Sequence, residues 1–305
     1  MGAFIARRTL HSLFALVGLI VLVFFLARLT GSPADLYLPI DATVEQRQDF
    51  MQRHGFDRPL IVQFGDFLGG LAAGDLGHSI RKDRPALDVV LDAIPVTLWL
   101  AAVTMVLALG GAILVGSLAA RHPGGAFDRI ASIASLAGAS APDFWIAISA
   151  ILLFAVTLGW LPTSGMGGPL TWIMPIAVLV VRPFGILVQV VRNTMVGVLS
   201  APYVKTARAK GIRERPIIFV HALRNAMLPV ITVAGDQAAG IINGAVIVET
   251  IFGWPGVGKL MIDAIIQRDF AIIQASIFVT ASLIFVLNIL IDLAYAVLDP
   301  RVRHA

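Results

Sequence analysis

Three ionisable residues, Asp143, Arg182 and Asp236, stand inside long apolar runs of the sequence. A charge at the centre of a membrane-crossing helix costs roughly 2.5–3.5 kcal/mol unless a partner or water meets it. Two kinds of chemistry fit. The three residues line a water-filled path for a polar solute, with Asn225, Gln237 and Asn243 near them in sequence, or Arg182 pairs with Asp143 or Asp236 and holds a helix bundle in register. Arg182 falls about nine residues into its run, roughly 14 Å deep at 1.5 Å per residue. Asp143 and Asp236 lie at comparable depths, and Asp292 sits nearer the end of its run. Gly240 and Gly244 follow Asp236-Gln237 at helical spacing, and their small size allows close helix approach or an open lumen; Asp236 is expected to face the path.

The second set of candidate groups is basic. Tyr203-Val204-Lys205-Thr206-Ala207-Arg208-Ala209-Lys210-Gly211 is followed by Arg213, Arg215 and Arg224, and Glu214 is the one acid among them. Apolar runs flank the stretch, so it is a loop between membrane helices, and its basic excess puts it on the cytoplasmic side. Two short helices joined at a bend are expected. Val204, Ala207 and the methyl of Thr206 line one side of the first, with Lys205, Arg208 and Lys210 towards water. Gly211 stands where a terminating glycine belongs. Pro216 is tolerated in the first turn of the second helix, in which His221, Arg224 and Asn225 share a face. Charge alone leaves open whether the stretch is a topology determinant and nothing more.

Enzymatic and metal chemistry find no support. Cysteine is absent, and the six histidines, His11, His54, His78, His122, His221 and His304, have no metal-ligand spacing. No Gly-x-Ser-x-Gly or His-Glu-x-x-His motif is present. Gly256-Val257-Gly258-Lys259 lacks the upstream glycine and the following Ser or Thr of a phosphate loop. No catalytic residue, metal or cofactor is expected. The basic balance (pI about 9.8) is spread over short loops, so it does not indicate a nucleic-acid partner.

These groups need a scaffold of membrane helices. Of 305 residues, 58% are hydrophobic and only 14% charged, as in a polytopic protein of the lipid bilayer. Six spans are expected: about 10–29, 95–120, 128–158, 172–199, 228–250 and 272–298, with both termini cytoplasmic beside Arg7, Arg8, Arg301 and Arg303. The first is read as a retained helix rather than a signal peptide, with Arg28 reaching to the interface from its far end. Asp128 is the expected N-cap of the third span, which Ala141-Pro142-Asp143 breaks. Pro202 disfavours helix at Ala201, so the fourth span ends at Leu199–Ser200. Residues 30–94 form an acidic outer segment. In it, Thr43 and Gln46 make a capping box, Gly55 stops a first helix, Pro59 opens a second with a stripe of Leu60, Phe64, Phe67, Leu68 and Leu71, and Gly74 closes it. Residues 95–299 form the core with its elbow at 200–228, and 300–305 a cytoplasmic tail.

The basic stretch resembles the EAA loop of ABC importer permeases, in the branch that carries dipeptides, oligopeptides or nickel. Tyr203-Val204, Thr206-Ala207 and Ala209-Lys210-Gly211 carry the likeness, followed by His221-Ala222-Leu223, Asn225 and Leu228-Pro229. The motif's glutamate is absent, Lys205 standing there, and Gly197 replaces a glutamate common in the family. Further likeness lies in Gly31-Ser32-Pro33-Ala34 with its acid lost, Phe56-Asp57-Arg58-Pro59-Leu60, Gly74–Ser79, Ser140–Trp145, Glu249-Thr250, Gly253–Gly258, Asp263–Ile265 and Arg268-Asp269.

The resemblance implies an all-α membrane protein with the type I ABC importer permease architecture, in the bacterial cytoplasmic (inner) membrane. It implies two separate ATP-binding subunits, a second, homologous permease subunit and an extracytoplasmic substrate-binding protein near the outer segment. Tyr203, Lys205, Thr206, Ala207, Arg208, Lys210 and Gly211 would dock on an ATPase. Glu249 matches the family pattern and joins Asp143, Arg182, Asp236 and Asn243 as a path candidate, with a cap or loop salt bridge as its alternative role. At Asp236 the family usually has an apolar residue. An ion-coupled carrier or channel using Asp143, Asp236 and Arg182 is the competing reading.

Overall fold

A computed structural model describes residues 2–29, 34–39 and 41–298. The sequence features at Arg7 and Arg8, Gly31–Pro33, the Asp292 side chain, the 299–301 helix end and the 300–305 tail lie outside what it describes. Most of the described residues are helical, as apolar chains in lipid require, because only a helix satisfies every backbone polar group within one segment. Five helices are long and apolar enough to cross a membrane, and a sixth span results if one sharply bent pair is counted. The chain divides into two compact units, 1–95 with 255–286, and 96–254 with 287–305.

The first unit holds helix α1 (Gly2–Leu29), α2 (Ala34–Tyr37), α3 (Val44–Arg53), α4 (Leu60–Ala72) and a two-strand ribbon of β1 (His78–Ser79) and β2 (Arg84–Pro85). The outer segment follows its local signals. Thr43 and Gln46 form both bonds of the capping box ahead of α3, and Gly55 and Gly74 are left-handed, with φ of 68° and 80°. Phe64 and Phe67 of α4 pack on Phe24 of α1, while Leu60 and Leu68 stay exposed. Arg28 does not extend outward. Its guanidinium lies 3.7 Å over the Phe24 ring and its Nε donates to Gln63.

Helix α5 (Ala86–Ala119) begins nine residues before Pro95, where the sequence reading started it. Pro95 sits inside the helix because Val89, Val90 and Ala93 bury an apolar face in the core of this unit and hold the preceding turns.

In the second unit, α5 continues and is followed by α6 (Ala126–Ser140), α7 (Asp143–Ala150) running into a π-helical turn at Ile151–Thr157, and α8 (Leu170–Leu199). The pair α6–α7 is the bent one, turning by 102° at Ala141-Pro142. Pro142 has no N–H to offer and forces Ala141 into extended backbone, ψ 133°, so the break expected from the sequence is sharper than a kink. Helix α8 is the central element. It buries Met174, Val178, Leu187, Val191 and Met195, and glycines let three neighbours close on it. A Cβ on Gly111 or Gly116 of α5 would press Phe184, Val188 or Val191, and one on Gly138 of α6 would stand 2.9 Å from Val181.

The seam between α6 and α8 is antiparallel and runs Asp128–Arg192, Ser132–Gln189, Ser135–Gly185 and Gly138–Val181. A Cβ on Gly185 would overlap the Ser135 carbonyl and stand 3.0 Å from the Ala139 nitrogen. Backbone cannot yield as a side-chain tip can. Gly185→Ala is therefore expected to destabilise the protein by about 2 kcal/mol, read as a lowered thermal midpoint in detergent, while Gly197→Ala, with open space around it, leaves the midpoint unchanged.

The unit continues with α9 (Pro202–Ala209), α10 (Glu214–Pro216), a second π-helical turn at Ile217–Ala222 and α11 (Leu223–Phe252). From Glu214 to Phe252 the helix is unbroken, a 39-residue span candidate. The second elbow helix and the fifth span, expected to separate near Leu228, are thus one. Pro229 removes the donor for the Asn225 carbonyl, yet Ala226 and Val230 on either side are fully buried and hold the turn. Beyond Trp254 the chain returns to the first unit with α12 (Val257–Gln267) and α13 (Phe270–Leu298), whose last residues again belong to the second. Helix α12 lies between the expected fifth and sixth spans, where the sequence reading placed no helix. Arg268 ends it in the left-handed conformation, φ 50°, and Asp269 accepts from Ser79 Oγ and from the Ile272 N–H as α13 begins.

Candidate functional site

Four polar groups from three stretches of the sequence line one cavity of about 530 Å³ in the second unit: Asp143, Arg182, Asp236 and Asn243. Asp143 is the first residue of α7, placed there by the break at Pro142. Arg182 comes from α8, on the face that also carries Leu179, Pro183 and Ile186. Asp236, Gln237, Gly240, Asn243, Gly244 and Ile247 form one stripe of α11, spaced by one, three or four residues as a single helix face requires. The two glycines keep the floor low. Gly240 has nothing within 4 Å of where a Cβ would stand, and one at Gly244 would press the Asp143 carboxylate at 3.3 Å.

The charges are not spent on each other. Among the described residues, the ion pairs of this unit are Arg192 with Asp128 and Arg208 with Glu214, and Arg182 makes none with Asp143 or Asp236. Asp236 accepts one bond, 3.2 Å, from Gln237. The arrangement is a solvent-open cavity with one cation, two carboxylates and two amides on apolar walls. It can hold water and polar solutes by hydrogen bonds and charge, and it has no nucleophile–base pair.

Glu249 does not line this cavity. It is fully buried one to two turns further along α11 and accepts from Thr97 Oγ1 at 2.6 Å, while its carbonyl receives the Trp254 N–H at 2.8 Å. It ties α5 to the end of α11, where Phe252, Trp254 and Trp172 pack together.

The basic elbow is a second candidate surface. Ser200 caps α8, Ala201 is extended with ψ 149°, and Pro202 opens α9 at its first turn. Gly211, at φ 76°, ends it after Lys210. Val204 is fully buried against Val191, Met195, Leu199, Ile217, Ile218 and Ala222. Ala207 is partly buried beside it, whereas Lys205, Thr206, Arg208 and Lys210 are exposed, and so is Tyr203 at 43%. Two contacts fix the helix from outside: Asn225 Nδ2 donates to Tyr203 Oη at 2.9 Å, and Arg208 Nε to Glu214 at 2.8 Å. The elbow is therefore an amphipathic helix with Lys205 and Lys210 exposed on its outer side and Arg208 paired with Glu214.

One charged group of consequence was missed in the sequence. Arg192 grips Asp128 with both ends of its guanidinium, 2.8 and 2.7 Å, and Asp128 also accepts from the Gly124 N–H. Asp128 is therefore not the N-cap of α6, a position Gly125 holds, but a first-turn residue turned onto α8. The spacing of Gly185, Gln189 and Arg192, small and polar residues at four and three on one helix face, was the available signal.

The chain matches the family model described as "Binding-protein-dependent transport system inner membrane component" over residues 112–304. It is 37% identical to the oligopeptide transport system permease protein AppB of Bacillus subtilis (strain 168), over all of both chains. It is 36% identical to the di/tripeptide transport system permease protein DppB of Pseudomonas aeruginosa (strain UCBPP-PA14), over all of this chain and 99% of the relative. Among solved structures, the inward-facing MetNI methionine ABC transporter gives a TM-score of 0.58 at 16% identity, covering 69% of this chain and 96% of that one. An amino acid ABC transporter crystallised with histidines gives 0.52 at 13%, covering 68% and 94%.

Proposed function

This chain belongs to the binding-protein-dependent transport system inner membrane component family, and from that premise we propose that it carries peptides through the cavity of Asp143, Arg182, Asp236 and Asn243 and takes its drive through the elbow at 203–211. It is a multi-pass permease subunit of an ABC importer in the bacterial cytoplasmic membrane, and its role is transport. Peptides as cargo follow from the names of full-length relatives at 36–37% identity. The observation that carries the path is the convergence of those four polar groups, unpaired with one another, in one cavity between α7, α8 and α11.

A permease of this family works with ATP-binding and substrate-binding partners. In our reading, ATP is hydrolysed on two separate subunits, a second homologous permease completes the path, and the exposed outer side of α9 is what the ATPase grips. Closure of the ATPases moves α9. Because Val204 is seated between α8 and the start of α11, that motion reaches the two helices that carry Arg182 and Asp236.

The test is uptake of a labelled dipeptide into lipid vesicles holding this chain with its neighbouring permease and ATPase subunits, the binding protein being added outside. Uptake that needs ATP and the binding protein is expected. Uptake that runs on an ion gradient with the ATPases removed would overturn the reading in favour of an ion-coupled carrier.

A further inference from the structure

The cavity of Asp143, Arg182 and Asp236 carries more than a place on the path. We propose that it is a charge-reading subsite which accepts zwitterionic solutes, prefers an additional positive charge and holds back additional negative charge, so that selection occurs within the permease itself. The proposal rests on the path reading above.

Three observations carry it. The cavity holds one cation and two carboxylates, a net charge of −1, and no ion pair joins them. A structural trio would have closed into salt bridges, as Asp128 of α6 and Arg192 do further along α8. Left open, Arg182 is free to receive a solute carboxylate, and Asp143 and Asp236 an ammonium.

Secondly, the two carboxylates come from different helices. Asp143 stands at the head of α7 and Asp236 on the α11 stripe, with Gly240 and Gly244 leaving between them the room a solute needs. Alanine at Gly244 would crowd Asp143. Thirdly, the walls are Leu179, Ile186 and Ile247, so the charges act across a space with little to screen them beyond the water it holds.

The test compares three dipeptides with intact termini, alanyl-alanine, alanyl-lysine and alanyl-glutamate, in ATP-driven uptake by the complete vesicle-embedded importer at saturating binding protein. The readout is the lysine-to-glutamate uptake ratio in each variant divided by that of the native protein. The binding protein's own preference is the same in both and cancels. Arg182→Gln should raise this ratio by about tenfold, the effect of one unit charge over several ångströms of partly hydrated space. Asp143→Asn with Asp236→Asn, which removes two unit charges, should lower it by a larger factor. ATP hydrolysis by each variant complex checks that assembly survives.

Shifts in opposite directions support the subsite. Equal slowing of all three peptides, or a ratio unmoved in both variants, would overturn it while leaving the peptide importer standing. Native vesicles that take up none of the three with ATP would sink the cargo reading and this proposal with it.

Discussion

Asp128→Ala lowers the stability of the protein by about 3 kcal/mol, the cost of leaving a largely buried charge without its partner. Arg192 then keeps only Asn193 Oδ1, at 3.0 Å, as an acceptor. The Gly124 N–H loses its acceptor as well, and with it the turn that leads into α6. The loss falls on one end of the seam, opposite the end next to Asp143 and Arg182, so α6 is expected to come away from α8 there. Asp128→Asn retains an acceptor for Gly124 and one for Arg192 and should lose markedly less. The measurement is thermal unfolding of the purified protein in detergent. Equal stability of Asp128→Ala and the native protein would show that the pair holds nothing.

Val204→Asp has the larger functional effect. Val204 is fully buried between α8 and the turn that starts α11, among apolar side chains. A carboxylate there costs several kcal/mol if the helix stays docked, more than the roughly 1.5–3 kcal/mol of burial that a valine supplies. The cheaper outcome is undocking of α9, which breaks the Asn225–Tyr203 contact too. The core of the second unit lies on α8 and survives. The expected result is a protein that inserts and purifies but loses most of its peptide-stimulated ATP hydrolysis in the assembled complex, whereas Val204→Ile retains it. Normal hydrolysis by Val204→Asp would mean that α9 transmits nothing through this contact.

Local chemistry was readable where one residue decides the backbone. Pro142 breaks the third span, Pro202 keeps Ala201 out of helix so that α8 ends at Leu199, Gly211 ends the elbow helix, and Thr43 with Gln46 caps α3, all as their types require. The spans were readable because lipid leaves the backbone no alternative to helix. Where the expectation failed, tertiary packing had overruled a local signal. Pro95 and Pro229 read as helix starts, yet buried neighbours carry the helix through both. Helix α12 hid behind a glycine-rich stretch.

The cavity was half legible. The cost of a charge in an apolar run singled out Asp143, Arg182 and Asp236, but whether they meet and whether they pair depends on the 102° turn at Pro142 and on glycines facing other helices. Glu249 looked like one more path residue. Its burial against Thr97 depends on how α5 crosses the end of α11, which no local pattern encodes.

The central claim is that α9 is the contact through which ATP hydrolysis drives this permease. Its most direct test is peptide-stimulated ATP hydrolysis by the complete importer in lipid vesicles, comparing the native elbow with Lys205→Glu and Lys210→Glu together. Both side chains are exposed, so the reversal leaves the fold intact. A loss of about tenfold or more in stimulated hydrolysis, with the permease still inserted and thermally unchanged, is the predicted result. Stimulated hydrolysis and assembly at the native level would contradict the claim and leave the basic stretch as a topology signal alone.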